Sequence, residues 1–170
     1  MNEKNINNIA DFAVKYPREI AKKECLTVDS SSLNFEEFSN LVTEYAKKLQ
    51  RMNLNKGDKI GILLFNSIEY LLLMYAAMYA GYVPVNINAR YKAKELNYVL
   101  HDSKCRVLFT SSQSDEVTNF SEIISSVYDS GEGQPKELID VYIIGGSKDS
   151  RFKSFNEFES INIENELNIE

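Results

Sequence analysis

The chain has 170 residues, long enough to bury the core of a single compact domain, and its 44% hydrophobic and 26% charged residues are those of a soluble globular protein. A net charge of −6 with no basic cluster argues against a nucleic-acid partner. The most apolar run, Tyr70 to Val85, contains Gly81 and Pro84 and is shorter than the ~20 residues of a membrane helix, so no transmembrane segment is expected.

Residues 1–24 are polar and mixed, and Ile6, Ile9, Phe12 and Ala13 suit one amphipathic helix. Cys25 to Asp29 reads as a short strand, Ser30-Ser31-Ser32 as a turn, and Leu33 with Phe35 as a second strand, the two pairing as a hairpin. Phe38, Leu41, Val42, Tyr45, Ala46, Leu49 and Met52 recur at helical steps, behind Asn34 and Glu37 spaced as a capping box. Asn55-Lys56-Gly57-Asp58 is a turn, in which glycine can take a positive φ. Lys59 to Phe65 is apolar on both faces, as a parallel strand covered twice must be.

Asn66 with Glu69 repeats the capping signal and starts a helix to about Ala80, which Gly81 terminates. Tyr82 to Ile87 is the next strand, 92–102 a helix, and Arg106 to Thr110 a further strand. Asn119 and Glu122 cap a helix that buries Phe120, Ile123, Ile124 and Val127; a loop from Asp129 to Lys136 leads to a strand over Ile139 to Ile144. Strands alternating with helices predict an α/β fold: a doubly wound parallel sheet flanked by helices, with a short N-terminal β-hairpin. Residues 151–170 read as a short helix and then a linker or tail. The apolar runs Tyr70–Tyr82 and Leu108–Phe109 hold more large side chains than one small core hides, so an exposed apolar face is expected, with self-association into a homo-oligomer or poor solubility as its result.

Chemistry is scarce. Neither G-x-G-x-x-G nor G-x-x-x-x-G-K-[ST] occurs, and Gly145-Gly146-Ser147 is followed by Lys148-Asp149-Ser150 rather than an apolar helix, which favours a plain turn over a phosphate cradle. His101 is the single histidine and reads as a surface residue, so histidine-paired nucleophiles and multi-histidine metal sites are excluded. Cys25 and Cys105 read as two buried, reduced thiols of a cytoplasmic protein. Glu36-Glu37 and Asp115-Glu116 read as solvated faces, and Tyr70, Tyr75, Tyr79 and Tyr82 as core packing.

Leu33-Asn34-Phe35-Glu36-Glu37-Phe38 resembles the L-T-Y-x-E-L opening of the adenylate-forming (AMP-binding) enzymes, the acyl-CoA synthetase and luciferase family. The stretch from Lys56 to Tyr70 is similar to that family's G-D-R-V-A-I-L-L-P-N-S-P-E-F, and Met78 to Asn86 to its L-K-A-G-A-V-x-V-P-x-N. Glu95 to Ser103 followed by Arg106 to Thr110 is similar to E-L-x-Y-x-L-x-D-S-x-x-x-x-L-I-T. No one piece is specific, but the four occur in order and at the right spacing. Phe65 and Ile68 stand where the family usually has proline.

The resemblance implies that residues 1–170 are the N-terminal subdomain of an ATP-dependent acyl-CoA synthetase, ending before the S-G-T-T-G-x-P-K-G loop that binds ATP in the family. It carries over no catalytic, cofactor-binding or metal-binding residue. The positions that match its motifs are Gly57, Asp58, Asn66, Glu69, Gly81, Pro84, Asn86 and Arg90, read as structural punctuation of the fold. For the whole protein it implies ATP, Mg and CoA, a small carboxylic acid as substrate, and the rest of the synthetase chain as the partner of this segment. Pro84-Val85-Asn86 resembles synthetases acting on fatty or other carboxylic acids more than peptide-synthetase adenylation domains, where P-I-D is usual. Two alternatives stay open: an adenylating ligase with a carrier-protein acceptor or no CoA step, and a stand-alone, non-catalytic interaction module.

Overall fold

The computed structural model describes residues 9–131 and 134–163, which fall into two compact units. Of these residues the first holds 9–56, 66–82 and 162–163; the second holds 57–65, 83–131 and 134–161.

In the first unit a single-turn helix α1 (Asp11–Val14) precedes an antiparallel hairpin of β1 (Glu24–Val28) and β2 (Ser31–Asn34), with Leu26 opposite Leu33. The hairpin turns through Asp29 in the left-handed region, at φ 52°. Helix α2 (Phe35–Gln50) starts with a closed capping box: Asn34 Oδ1 accepts from the Glu37 amide and Glu37 Oε2 from the Asn34 amide, each at 2.9 Å. Its stripe of Phe38, Val42, Tyr45, Ala46 and Leu49 is buried, and it packs on α3 (Ile68–Tyr79) with Phe38 edge-on to Tyr75 at 5.7 Å. α3 in turn buries Leu72, Leu73, Ala76 and Ala77.

Three details differ from expectation here. Phe35 opens α2 instead of belonging to the second strand, because Asn34, one residue earlier, is the helix cap. The N-terminal helix carries no apolar stripe: Ile9 and Phe12 are exposed while Ala10, Asp11 and Ala13 are buried, since one turn is too short to repeat a face; Ile6 lies outside the described residues. The cap of α3 is Ser67, whose Oγ accepts from the Tyr70 amide at 3.1 Å, and Asn66 stands exposed one residue earlier.

The second unit is a five-stranded parallel sheet in the order β4 (Val83–Asn86), β3 (Lys59–Ile62), β5 (Cys105–Ser111), β6 (Asp140–Ile144) and β7 (Lys153–Ser154). On one face Leu108, Val141 and Ile143 lie in a core with Leu96 and Leu100 of α4 (Ala93–Ser103) and Phe120, Ile124 and Val127 of α5 (Phe120–Asp129). On the other face Phe109 stacks with its register partner Tyr142 at 5.4 Å, and Phe158 of α6 (Phe155–Glu159) stands edge-on to Phe109 at 5.0 Å. The unit therefore has helices on both sides of its sheet.

Residues 151–163 contain the expected short helix, with a capping box at Ser154 and Glu157, and also supply the fifth strand and the buried rings of Phe152, Phe155 and Phe158, which were not expected. No side chain of Tyr70–Tyr82 or Leu108–Phe109 is exposed, so the expected apolar face does not lie on those runs. The large exposed apolar side chains among the described residues, including Val83, Tyr98, Val117 and Ile139, are scattered along the chain. Cys105 is buried, but Cys25 only half-buried, and neither is disulfide-bonded.

Two glycines after β6 turn the chain with φ of 84° (Gly145) and 82° (Gly146), and a Cβ at Gly145 would lie 2.3 Å from Ser112 Oγ. Beyond them Arg151 pairs with Asp149 (2.6 Å) and Asp129 (2.7 Å), while its guanidinium lies over the rings of Tyr128 and Phe152. The Arg151 side chain, then its amide, hold the Asp149 carboxyl down at about 2.

Gly145→Ala is expected to lower stability in urea unfolding by at least about 1–2 kcal/mol, the cost of a left-handed side chain, with the clash added. Ser112→Ala in the same chain should recover only the part due to the clash. Because the folded pKa of Asp149 lies below its ordinary 3.8, its contribution is complete above that value and is lost as pH falls toward about 2. Asp149→Asn should flatten the acid limb of a pH–stability curve across that window.

Candidate functional site

Open parallel sheets place ligands beyond the carboxyl ends of their strands, where the direction of the crossovers reverses. β3 leads to β4 on one side of itself, and the chain then returns to β5 on the other, so the reversal lies between the ends of β3 and β5. The seam between them is tightly bonded: the Leu63 amide donates to the Phe109 carbonyl, and Thr110 Oγ1 to the Leu63 carbonyl, both at 2.9 Å. Phe65, just past β3, packs on Phe120 at 4.6 Å.

Three loops meet at this edge. After β4, Asn88 Oδ1 accepts from the Arg90 amide at 2.9 Å, a local turn that sends the Arg90 side chain toward the loop after β5. In that loop Asp115 Oδ1 accepts from the amides of Val117 (2.9 Å) and Thr118 (2.7 Å). Arg90 Nη1 then donates to Asp115 Oδ2 (2.8 Å) and Thr118 Oγ1 (3.2 Å), with the guanidinium 5.9 Å from the centre of the Phe65 ring. The Val117 and Thr118 amides, then Arg90, hold the Asp115 carboxyl below the usual carboxylate range. Lys92 Nζ donates to the Val117 carbonyl, and an open cleft of about 560 Å³ lies between Lys92 and Ala93 at the start of α4 and Glu122 and Ser126 on α5.

The eight motif-matching positions do not converge. Arg90 alone belongs to this cluster; Asn86 ends β4 at the same edge of the sheet, and Pro84 sits within that strand. Gly57 (φ 84°) and Asp58 precede β3 at the opposite edge, where the Asp58 carbonyl accepts from the Val83 amide at 2.9 Å and its carboxylate stands 3.9 Å from Arg106. Asn66, Glu69 and Gly81 (φ 88°) flank or begin α3 in the first unit. His101 is exposed near the end of α4. Asp115, expected as mere solvated charge, is instead the acceptor around which its loop is built; its signal was the Asp-x-x-Thr step ahead of the Asn119 cap.

Among the described residues no three His, Cys, Asp and Glu side chains gather to hold an ion, and the Gly146 amide of the diglycine turn is committed to the Ile143 carbonyl at 3.1 Å. What the cluster does is fix three strand-end loops to one another. Asp115→Ala is expected to speed amide hydrogen exchange at Val117 and Thr118 more than Arg90→Ala does, because it removes the acceptor of both amides whereas the arginine variant leaves them bonded.

Known proteins share this sequence and fold. The family model described as AMP-binding enzyme matches residues 11–161. A 2-succinylbenzoate–CoA ligase of Oceanobacillus iheyensis is 33% identical over 103 residues, covering 56% of this chain and 22% of that protein. A long-chain-fatty-acid–CoA ligase of Mycobacterium tuberculosis is 32% identical over 85 residues, covering 50% and 17%. The chain thus spans about a fifth of the length of the curated relatives it matches. Among solved structures, an anthranilate CoA ligase in complex with anthranoyl-AMP superposes with a TM-score of 0.78 over 94% of this chain and 29% of that one, at 22% identity, a likeness of fold. With the family model spanning nearly all the described residues, the chain belongs to the AMP-binding enzyme family.

Proposed function

We propose that this chain is the opening segment of an ATP-dependent carboxylic acid–CoA ligase. The observation that carries the reading is the family match over residues 11–161, joined to relatives that are named as CoA ligases. In the whole protein a substrate carboxylate attacks the α-phosphorus of ATP, forming the acyl-adenylate and releasing pyrophosphate. The thiol of CoA then attacks the acyl carbon and displaces AMP. Mg, when bound, offsets the charge that develops on the phosphates. The acids named for the two relatives differ, an aryl dicarboxylate derivative in one and long-chain fatty acids in the other, so the substrate class is taken no further than a carboxylic acid.

In this reading residues 1–170 serve as scaffold, and Gly57, Asp58, Asn66, Glu69, Gly81, Pro84, Asn86 and Arg90 set the fold rather than the chemistry. The positive φ of Gly57 and Gly81 and the loop-tying role of Arg90 support this. Unbridged thiols at Cys25 and Cys105 support a cytoplasmic setting. Among the described residues no helix is long and apolar enough to cross a membrane.

Titration calorimetry of the 170-residue chain with Mg-ATP is expected to show no binding, and micromolar affinity would overturn its inactivity. The protein encoded by the whole reading frame should catalyse pyrophosphate exchange into ATP only when a carboxylic acid is present, and should then form a CoA thioester. Exchange without acid dependence would sink the ligase reading; acid-dependent exchange with no CoA thioester would sink the CoA step.

A further inference from the structure

Among the described residues the five-stranded sheet ends at β4, whose one neighbour is β3. An edge of this kind offers backbone donors and acceptors to any strand that approaches, and natural proteins blunt such edges with short strands, charge or proline. β7, at the other end, is two residues long, too short to template an extended pairing. β4 has four residues and no charged side chain, so it needs another safeguard.

The hydrogen bonds to β3 show where that safeguard lies. The amides of Val83 and Ile87 donate inward, to the carbonyls of Asp58 and Ile62, each at 2.9 Å. Amides alternate in direction along a strand, so the amide position of residue 84 faces away from β3. Pro84 occupies it, level with Ile60 in the register, and has no N–H to offer. The surroundings are open: Val83 is 46% exposed and Asn86 is exposed as well.

We propose that Pro84 keeps the β4 edge from pairing with the same edge of a second copy of this chain. Proline at an inward-facing position would have broken the β3–β4 ladder; at this outward position it leaves the ladder whole and removes a donor from the exposed edge. Two copies meeting about a two-fold axis would bring their β4 strands together antiparallel, the arrangement in which each edge supplies what the other accepts. This proposal rests on sheet geometry alone and does not depend on the ligase reading.

Sedimentation velocity across a concentration series tests it, on the 170-residue chain, its Pro84→Val variant, and that variant carrying Val83→Lys as well. Near-ultraviolet circular dichroism would establish that each is folded, and Pro84→Ala replaces Pro84→Val should the larger side chain disturb the strand. The parent chain is expected to keep one sedimentation coefficient throughout. Pro84→Val should shift toward a dimer as concentration rises, and the added lysine, a charge on the exposed edge, should restore the parent behaviour. A parent chain that dimerises as readily as the variant overturns the proposal. So does a Pro84→Val chain that sediments as the parent does, or one whose association persists with the lysine in place.

Discussion

Strand β5 has a parallel partner on each edge and buried side chains on each face, and that double enclosure governs the rest of the second unit. Parallel strands cannot be joined by tight turns, so every neighbour of β5 arrives through a crossover long enough to lay structure across the sheet. Leu108 faces the core beneath α4 and α5, while Phe109, one residue on, faces α6. A shift of one residue in register would exchange these two environments, placing a phenyl ring where the helices leave room for a leucine. Gly61 in β3 sharpens the constraint, since a Cβ there would approach Leu108 Cδ1 to 3.0 Å. A side chain at Gly61 would therefore require the Leu108 side chain to shift.

That enclosure is also why three of the five strands were legible in the sequence. Strands covered on both faces are apolar at consecutive positions, so the runs at 59–64, 106–110 and 139–144 are visible without any periodicity, while the edge strand within 82–87 was legible from its β-branched residues after Gly81. Caps were legible where the acceptor stands three residues before a glutamate whose amide it binds, as at Asn34 and Asn119. At α3 two acceptors stand side by side, and extended backbone at Ser67 decides between them, which composition does not reveal. The short helix was expected, but β7 and the burial of the rings escaped notice because polar residues separate Phe152, Phe155 and Phe158. Their three-residue spacing was the available signal, but with only three members it reads equally as scattered aromatics.

The cluster at the carboxyl edge was half legible. Motif resemblance picked out Arg90, yet its partners Asp115 and Thr118 lie 25 and 28 residues further along and meet it only because β4 and β5 flank the same strand. No local pattern joins a cation to an acceptor across such an interval. The aromatic neighbour Phe65 stands where the family usually has proline, and its ring lies both against Phe120 and beneath the Arg90 guanidinium. Hydrophobic packing and the polar tie between loops thus share one residue at the end of β3.

The two compact units are interleaved along the chain: β3 belongs to one, the next helix to the other, and β4 to the first again. The covalent path between two adjacent strands of the sheet consequently runs through α3, a helix counted with the neighbouring unit. Neither unit is a contiguous cassette. A gene-fusion junction, exon boundary or protease cut falling within 66–82 would sever the crossover that joins β3 to β4, and with it the connection on which their parallel pairing depends.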